Sequence, residues 1–270
     1  MISLTKSQLW KRHLITATGM TCKHLFLSWA LKRWPGFFAR NQNLQSWEGR
    51  TITRKLKIIF HYILTHMHKE ILTQEQKKLL PLTGKFAEDF GLVGGTAIAL
   101  QIGHRRSIDF DLFSLKEFDD NKVRNTVKKE GWNIETVLRE EKDQFTFLIN
   151  GVQLTFLYYP YQIEFPESLE SFVKMPDLLT LAAMKAFTLA RRAKWKDYID
   201  LYFLMKKYYS LGEIVDKAGE IFGTEFNERI FREALAFFDD VNYEEKIEFM
   251  PGFEADEETI KKSLENHSVS

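Results

Sequence analysis

The spacing of apolar positions changes character several times along the chain. Thr73 with Gln76 three residues on matches a capping box, and Leu79, Leu80, Phe86 and Phe90 share an apolar side. This predicts a helix running from Thr73 towards Phe90, bent or split by Pro81 and Gly84. Leu92-Val93 then reads as a short apolar strand, Gly94-Gly95-Thr96 as a turn, and the next residues as one short helix opened by Thr96. In the strand that follows, Ile108, Phe110 and Leu112 alternate with Asp109 and Asp111, so the two aspartates project to one side. A charged surface helix is predicted over 117–129, ending near Gly131. Strands are predicted over 133–139, 144–149 and 152–158, with Asn150-Gly151 as a two-residue hairpin signal between the last two. Phe145 and Phe147 share a strand face.

After Pro166 the pattern turns helical. Leu178, Leu181, Ala182, Lys185 and Leu189 fall on one helix face, which puts Lys185 on the apolar side. In the next helix Asp197 and Asp200 share a face with Leu204. Helices are also predicted over 214–222 and 228–238, and 241–270 is acidic, then polar, with a frayed end. This order predicts an α/β fold: a small mixed-sheet domain over 67–165 followed by a helical domain over 166–265.

Residues 1–66 lack such periodicity. They carry eleven lysines and arginines against Glu48 alone and four of the six tryptophans, Trp10, Trp29, Trp34 and Trp47; the remaining residues hold 27 basic and 36 acidic side chains. A basic arm that binds nucleic acid by phosphate pairing and stacking, a targeting leader, and an upstream start with Met67 beginning the working protein all fit. The last is favoured, because the charge character changes at Met67. His61, His66 and His68 lie close in sequence but have only Glu70 as a neighbouring carboxylate, which argues against a metal cluster. The single cysteine, Cys22, excludes an intrachain disulfide and fits a cytoplasmic setting. No apolar run is long enough for a transmembrane helix, so no membrane partner is expected.

Two glycines before a helix let backbone approach an anion, and the N-terminal N–H groups of that helix favour phosphate. Asp109 and Asp111, a single residue apart, are suited to share hard divalent cations that bridge to phosphate oxygens. Each feature alone is commonplace: a capped turn, a solvated strand edge. A lysine on an apolar face often snorkels, and paired aspartates often lie on a surface. Their convergence gives them weight.

The run Gly94, Gly95, Thr96, Gly103, His104, Arg105, Ser107, Asp109, Asp111, Phe113 resembles the first motif of the nucleotidyltransferase superfamily, in the spelling of the AbiEii/AbiGii toxin family. Lys185, Arg191, Asp197, Asp200, Leu201 and Tyr202 resemble a later motif of that family. The resemblance implies a nucleotidyltransferase domain that transfers a nucleoside monophosphate from a nucleoside triphosphate to an acceptor, with RNA (plausibly tRNA) as that acceptor. It implies Mg²⁺ or Mn²⁺ on Asp109 and Asp111, and triphosphate on Gly94, Gly95 and Thr96. Lys185 would touch the phosphates, Asp197 or Asp200 would support catalysis or fix the lysine, and Arg105 and Ser107 would order the loop. A role as toxin of a bacterial toxin–antitoxin or phage-defence pair, with a cognate antitoxin protein, follows from the same resemblance.

One position departs from it. Thr155 stands where related sequences carry a third carboxylate, with Gln153 on the same face. That departure keeps a non-catalytic nucleotide- or protein-binding member open as the alternative. The acidic balance of 67–270 gives RNA binding no support, although Arg191, Arg192, Lys194 and Lys196 form a local basic patch.

Overall fold

The computed structural model describes residues 67–170 and 172–269; the basic segment, with Cys22, His61, His66 and its four tryptophans, lies outside the described residues. Strands β1 (Gly91–Val93), β2 (Phe110–Ser114), β3 (Thr136–Glu141), β4 (Gln144–Ile149) and β5 (Val152–Tyr158) form one mixed sheet in the order β1-β2-β5-β4-β3. β2 runs parallel to β5 and the other neighbours are antiparallel. Asn150 and Gly151 take φ of 50° and 70°, the left-handed pair that a tight hairpin needs, so this turn fixes the β4–β5 register.

Register separates the two faces. Phe110, Leu112, Phe145, Phe147, Leu154 and Phe156 are buried on one of them. Phe156 lies 5.7 Å from Phe147 and 4.8 Å from Phe86, centroid to centroid, in an aromatic layer. On the other face Asp111, Thr155, Thr146 and Arg139 stand in one cross-strand row.

Helix α1 (Gln74–Gly84) opens with the predicted Thr73–Gln76 capping box. It runs unbroken through the exposed Pro81 and stops at Gly84, short of Phe90. A turn, not a second helix, brings Phe86 and Phe90 back to the core. Helix α2 (Gly94–Ile102) ends on Gly103, whose φ of 70° makes a left-handed cap and turns the chain into the 104–109 loop. Asp119 caps α3 (Asp120–Lys129).

Beyond Pro166 the structure departs from the helical expectation. A small hairpin, β6 (Glu167–Leu169) and β7 (Val173–Met175), comes first and buries Leu169, Val173 and Met175. Three-residue strands are too short for periodicity to reveal. Then follow α4 (Leu178–Leu189), α5 (Trp195–Lys207), α6 (Leu211–Phe222), α7 (Glu228–Ala236) and α8 (Glu257–Ser268). A Ser210–Glu213 capping box starts α6 earlier than its apolar residues indicate. Helix α8 stands where a frayed polar tail was expected: Asp256 caps it, and Ile260 and Leu264, one turn apart, are buried. Helices α4 and α5 both pack on α2, and α8 packs on α5. No helix among the described residues is long and apolar enough to cross a membrane.

Candidate active site

The site is built around the start of α2. Pairing of β1 with β2 sets Val93 opposite Asp111, so the helix that follows Val93 begins beside that carboxylate. Gly94 takes φ of +69°, and a Cβ there would collide with Asp111 Oδ2. The helix therefore starts at Gly94 and not at Thr96, and Val93 in the capping position offers no side-chain bond. Thr96, expected to open the helix, is instead buried in its first turn. Its hydroxyl donates to the Asp109 carbonyl at 2.5 Å and lies 2.8 Å from Ser107 Oγ. One hydroxyl has one proton, so Ser107 is the donor in the second bond. Thr96 and Ser107 thus latch the loop that delivers Asp109.

Asp109 immediately precedes β2 and Asp111 lies within it. Ile108, assigned from alternation to the apolar side, is 58% exposed, because the strand has not begun at that residue. Burial pushes both aspartate carboxyls upward. Lys196 opposes the shift at both, and the charge of Asp111 adds to it at Asp109.

Beneath Gly95 lies a buried ionic cluster that joins α2, α4 and α5. Asp200 accepts from His104 Nε2 and Arg105 Nε at Oδ1, both at 2.7 Å. At Oδ2 it accepts from an Arg105 terminal nitrogen at 2.9 Å and forms an ion pair with Lys185 Nζ at 3.0 Å. Three hydrogen bonds and the Lys185 ion pair surround the carboxylate, and the Arg105 and Lys185 charges overcome burial to hold it well below its ordinary range. Burial pushes His104 down, so its imidazole is neutral and Nε2 carries the proton, leaving Nδ1 without a partner. Lys185 also donates to Asp197 Oδ1. Asp197 Oδ2 is buried without a hydrogen-bond partner, 3.7 Å from Arg192 Nε. The apolar-face position of Lys185 is therefore not a snorkel: the side chain stays inside, 8% exposed, between two carboxylates. A Cβ on Gly95 would meet the Arg105 guanidinium, which is why the second glycine matters here.

Thr155 is the register partner of Asp111 across the parallel β2–β5 pair. It is nearly buried, 3.4 Å from both Thr146 Oγ1 and Gln153 Nε2. Among the described residues no group of three His, Cys, Asp or Glu side chains is placed to hold a metal ion. Two carboxylates are nonetheless a workable donor set for Mg²⁺ or Mn²⁺ when phosphate oxygens and water complete the shell. Burial pushes both carboxyls upward, and a bound divalent cation would favour their ionised form.

The basic patch is largely engaged. Arg191 stacks over Phe187 and donates to the Phe187 and Glu225 carbonyls. Lys194 and Lys196 both pair with Glu245. Glu245 escaped the sequence reading, since nothing local distinguishes it within an acidic stretch. His104 was visible only as part of the GHR run.

Residues 82–266 match the family described as nucleotidyl transferase AbiEii toxin, type IV toxin–antitoxin system. The chain belongs to this family of nucleotidyltransferase toxins. An uncharacterized protein of Aquifex aeolicus is 31% identical over 211 residues, which span 73% of this chain and 97% of that protein. Among solved structures, JHP933 from Helicobacter pylori aligns with a TM-score of 0.47 at 16% identity, covering 73% of this chain and 92% of the other. MenT4, a nucleotidyltransferase toxin from Mycobacterium tuberculosis, aligns with a TM-score of 0.48 at 12% identity, covering 72% and 80%.

Proposed function

We propose that this protein transfers a nucleoside monophosphate from a nucleoside triphosphate to a hydroxyl of an RNA acceptor such as tRNA. It acts in the cytoplasm as the toxin of a toxin–antitoxin or phage-defence pair, opposed by a cognate antitoxin protein. The observation that carries this reading is that Gly94, at the positive end of α2, lies so near the Asp111 carboxylate that an added Cβ would collide with it. This proximity joins a phosphate seat to a metal-binding carboxylate.

In this reading the β and γ phosphates lie on the first-turn N–H groups of Gly94, Gly95 and Thr96. Asp109 and Asp111 would hold Mg²⁺ or Mn²⁺, which would supply positive charge to offset that of the phosphates. The acceptor oxygen forms a bond to that phosphorus, the α–β P–O bond breaks, and pyrophosphate leaves. Lys185 gives one N–H to Asp197 and pairs in charge with Asp200, so its ammonium keeps donor capacity for the leaving phosphate. The Lys185 charge also favours ionised Asp111. Asp200, buried among these partners, is a positioning residue: it fixes Arg105 and Lys185, and Arg105 in turn supports Gly95. With threonine at 155, the acceptor proton falls to Asp109, the carboxylate that remains 27% exposed.

The test is to incubate the protein with Mg²⁺, total RNA and each α-labelled nucleoside triphosphate, beside a combined Asp109→Asn, Asp111→Asn variant. Label on RNA only with intact aspartates is the expected result. Thr155 favours a second reading, a non-catalytic member that binds nucleotide or protein. Binding of nucleotide with no transfer from any of the four would select it.

A further inference from the structure

Glu245 occupies an unusual place. It comes from the stretch after α7, which is pinned at both ends. Asn242 exchanges backbone bonds with Ala193 and Trp195, and Glu248 and Met250 bond with Arg106 and His104. Between these anchors Glu245 Oε1 lies 3.2 Å from Lys194 Nζ and Oε2 lies 2.5 Å from Lys196 Nζ. Lys196 Nζ is in turn 3.9 Å from Asp109 Oδ2.

A third carboxylate beside Asp109 and Asp111 is electrostatically costly, and the charge of Glu245 does push the Asp109 carboxyl upward. The two lysines draw it there. Each of its oxygens meets one ammonium at the start of α5, which is how two oxygens of a phosphate are bound. The Glu245 side chain is 45% exposed and sits in irregular backbone, so it can leave without disturbing a packed element.

We infer that Lys194 and Lys196 form a subsite for the phosphate oxygens of a polyphosphate, which Glu245 fills in the resting chain and vacates on binding. This rests on the proposed docking of a nucleoside triphosphate at Asp109 and Asp111. The contact between Lys196 and Asp109 favours that polyphosphate over an RNA backbone, since the same cation would touch metal ligand and phosphate.

Calorimetric titration of the full chain with inorganic tripolyphosphate and Mg²⁺ tests it. Glu245→Gln is expected to bind about two- to fivefold tighter, the size of a lost ion pair near the surface. A Lys194→Gln, Lys196→Gln double variant is expected to bind at least about tenfold weaker, the loss of two charge-assisted bonds. In that double background Glu245→Gln should have no effect. Unchanged or weaker binding by both Glu245→Gln and Glu245→Ala, at a retained melting temperature, overturns the inference. So does a double variant that keeps tripolyphosphate affinity but loses RNA affinity with a shallower salt slope, which would make the lysines an RNA contact. The readout is independent of turnover. Tighter binding by Glu245→Gln without nucleotidyl transfer by the unaltered chain leaves the subsite standing and removes the transferase reading; transfer without a Glu245 effect does the reverse.

Discussion

Asp111 on β2 and Thr155 on β5 are direct partners across a parallel strand pair. The β5 partner of a candidate metal ligand is thus a hydroxyl, hydrogen-bonded along its own face to other polar side chains and unable to add charge.

Replacing Thr155 with Asp sets a second carboxylate against Asp111 in a nearly buried position. Without metal this should cost about 1–3 kcal/mol. Mg²⁺ should restore most of the loss. Thermal unfolding with and without the cation measures both, and an unchanged metal-free melting temperature would show that the two positions do not feel each other.

Asp111→Asn should raise the stability of the metal-free protein while abolishing transfer. Burial raises this carboxyl in the folded state, so the native chain holds protons that the unfolded chain has already released. Stability then rises as pH falls through the folded pKa, and at neutral pH the charge is a cost. Removing it is expected to yield about 0.5–2 kcal/mol, a gain of the kind seen when a functional site is relaxed. Denaturant melts at neutral pH, run in chelator, check the sign.

Asp200→Asn should do the opposite. It leaves Arg105 and Lys185 short of a buried counter-charge, at a cost of about 3–5 kcal/mol. Asp200 is held well below the ordinary carboxylate value of 3.8, so its stabilisation is present above that value and is lost as pH falls through the lowered folded pKa. Below pH 4 the unaltered chain should lose stability steeply and the variant less so. Parallel acid titrations followed by circular dichroism would reveal equal slopes if Asp200 were an ordinary surface charge.

Gly95→Ala drives a methyl into the Arg105 guanidinium, which cannot yield because Asp200 and the Arg106 carbonyl hold it. A loss of about 1–3 kcal/mol is expected, with reduced transfer. Gly212→Ala, in a helix with nothing near the added carbon, should be neutral or stabilising by up to about 1 kcal/mol. Urea unfolding of the two variants side by side separates a packing requirement from a general intolerance of alanine.

Local chemistry made much of this protein legible from the chain alone. The α/β order, the Asn150-Gly151 hairpin and the Thr73–Gln76 cap depend on φ preferences and on bonds spanning a few residues, which sequence encodes directly. The same holds for the common face of Gln153 and Thr155 and for the apolar-side position of Lys185. The run from Gly94 to Asp111 could be read because one strand, one helix and one strand are connected without a gap.

What needed the tertiary structure is everything that depends on distances between remote segments. Period alone did not distinguish β6, β7 and α8, whose short apolar pairs acquire meaning only against the surfaces that bury them. Whether Lys185 snorkels or stays inside was decided by the packing of α4 and α5 on α2, which brings His104, Arg105, Lys185, Asp197 and Asp200 into one buried cluster. Glu245 reaches Lys194 and Lys196 for the same reason: a burial-driven fold sets those separations, and an electrostatic interaction acts on distance through space, to which position along the chain is no guide.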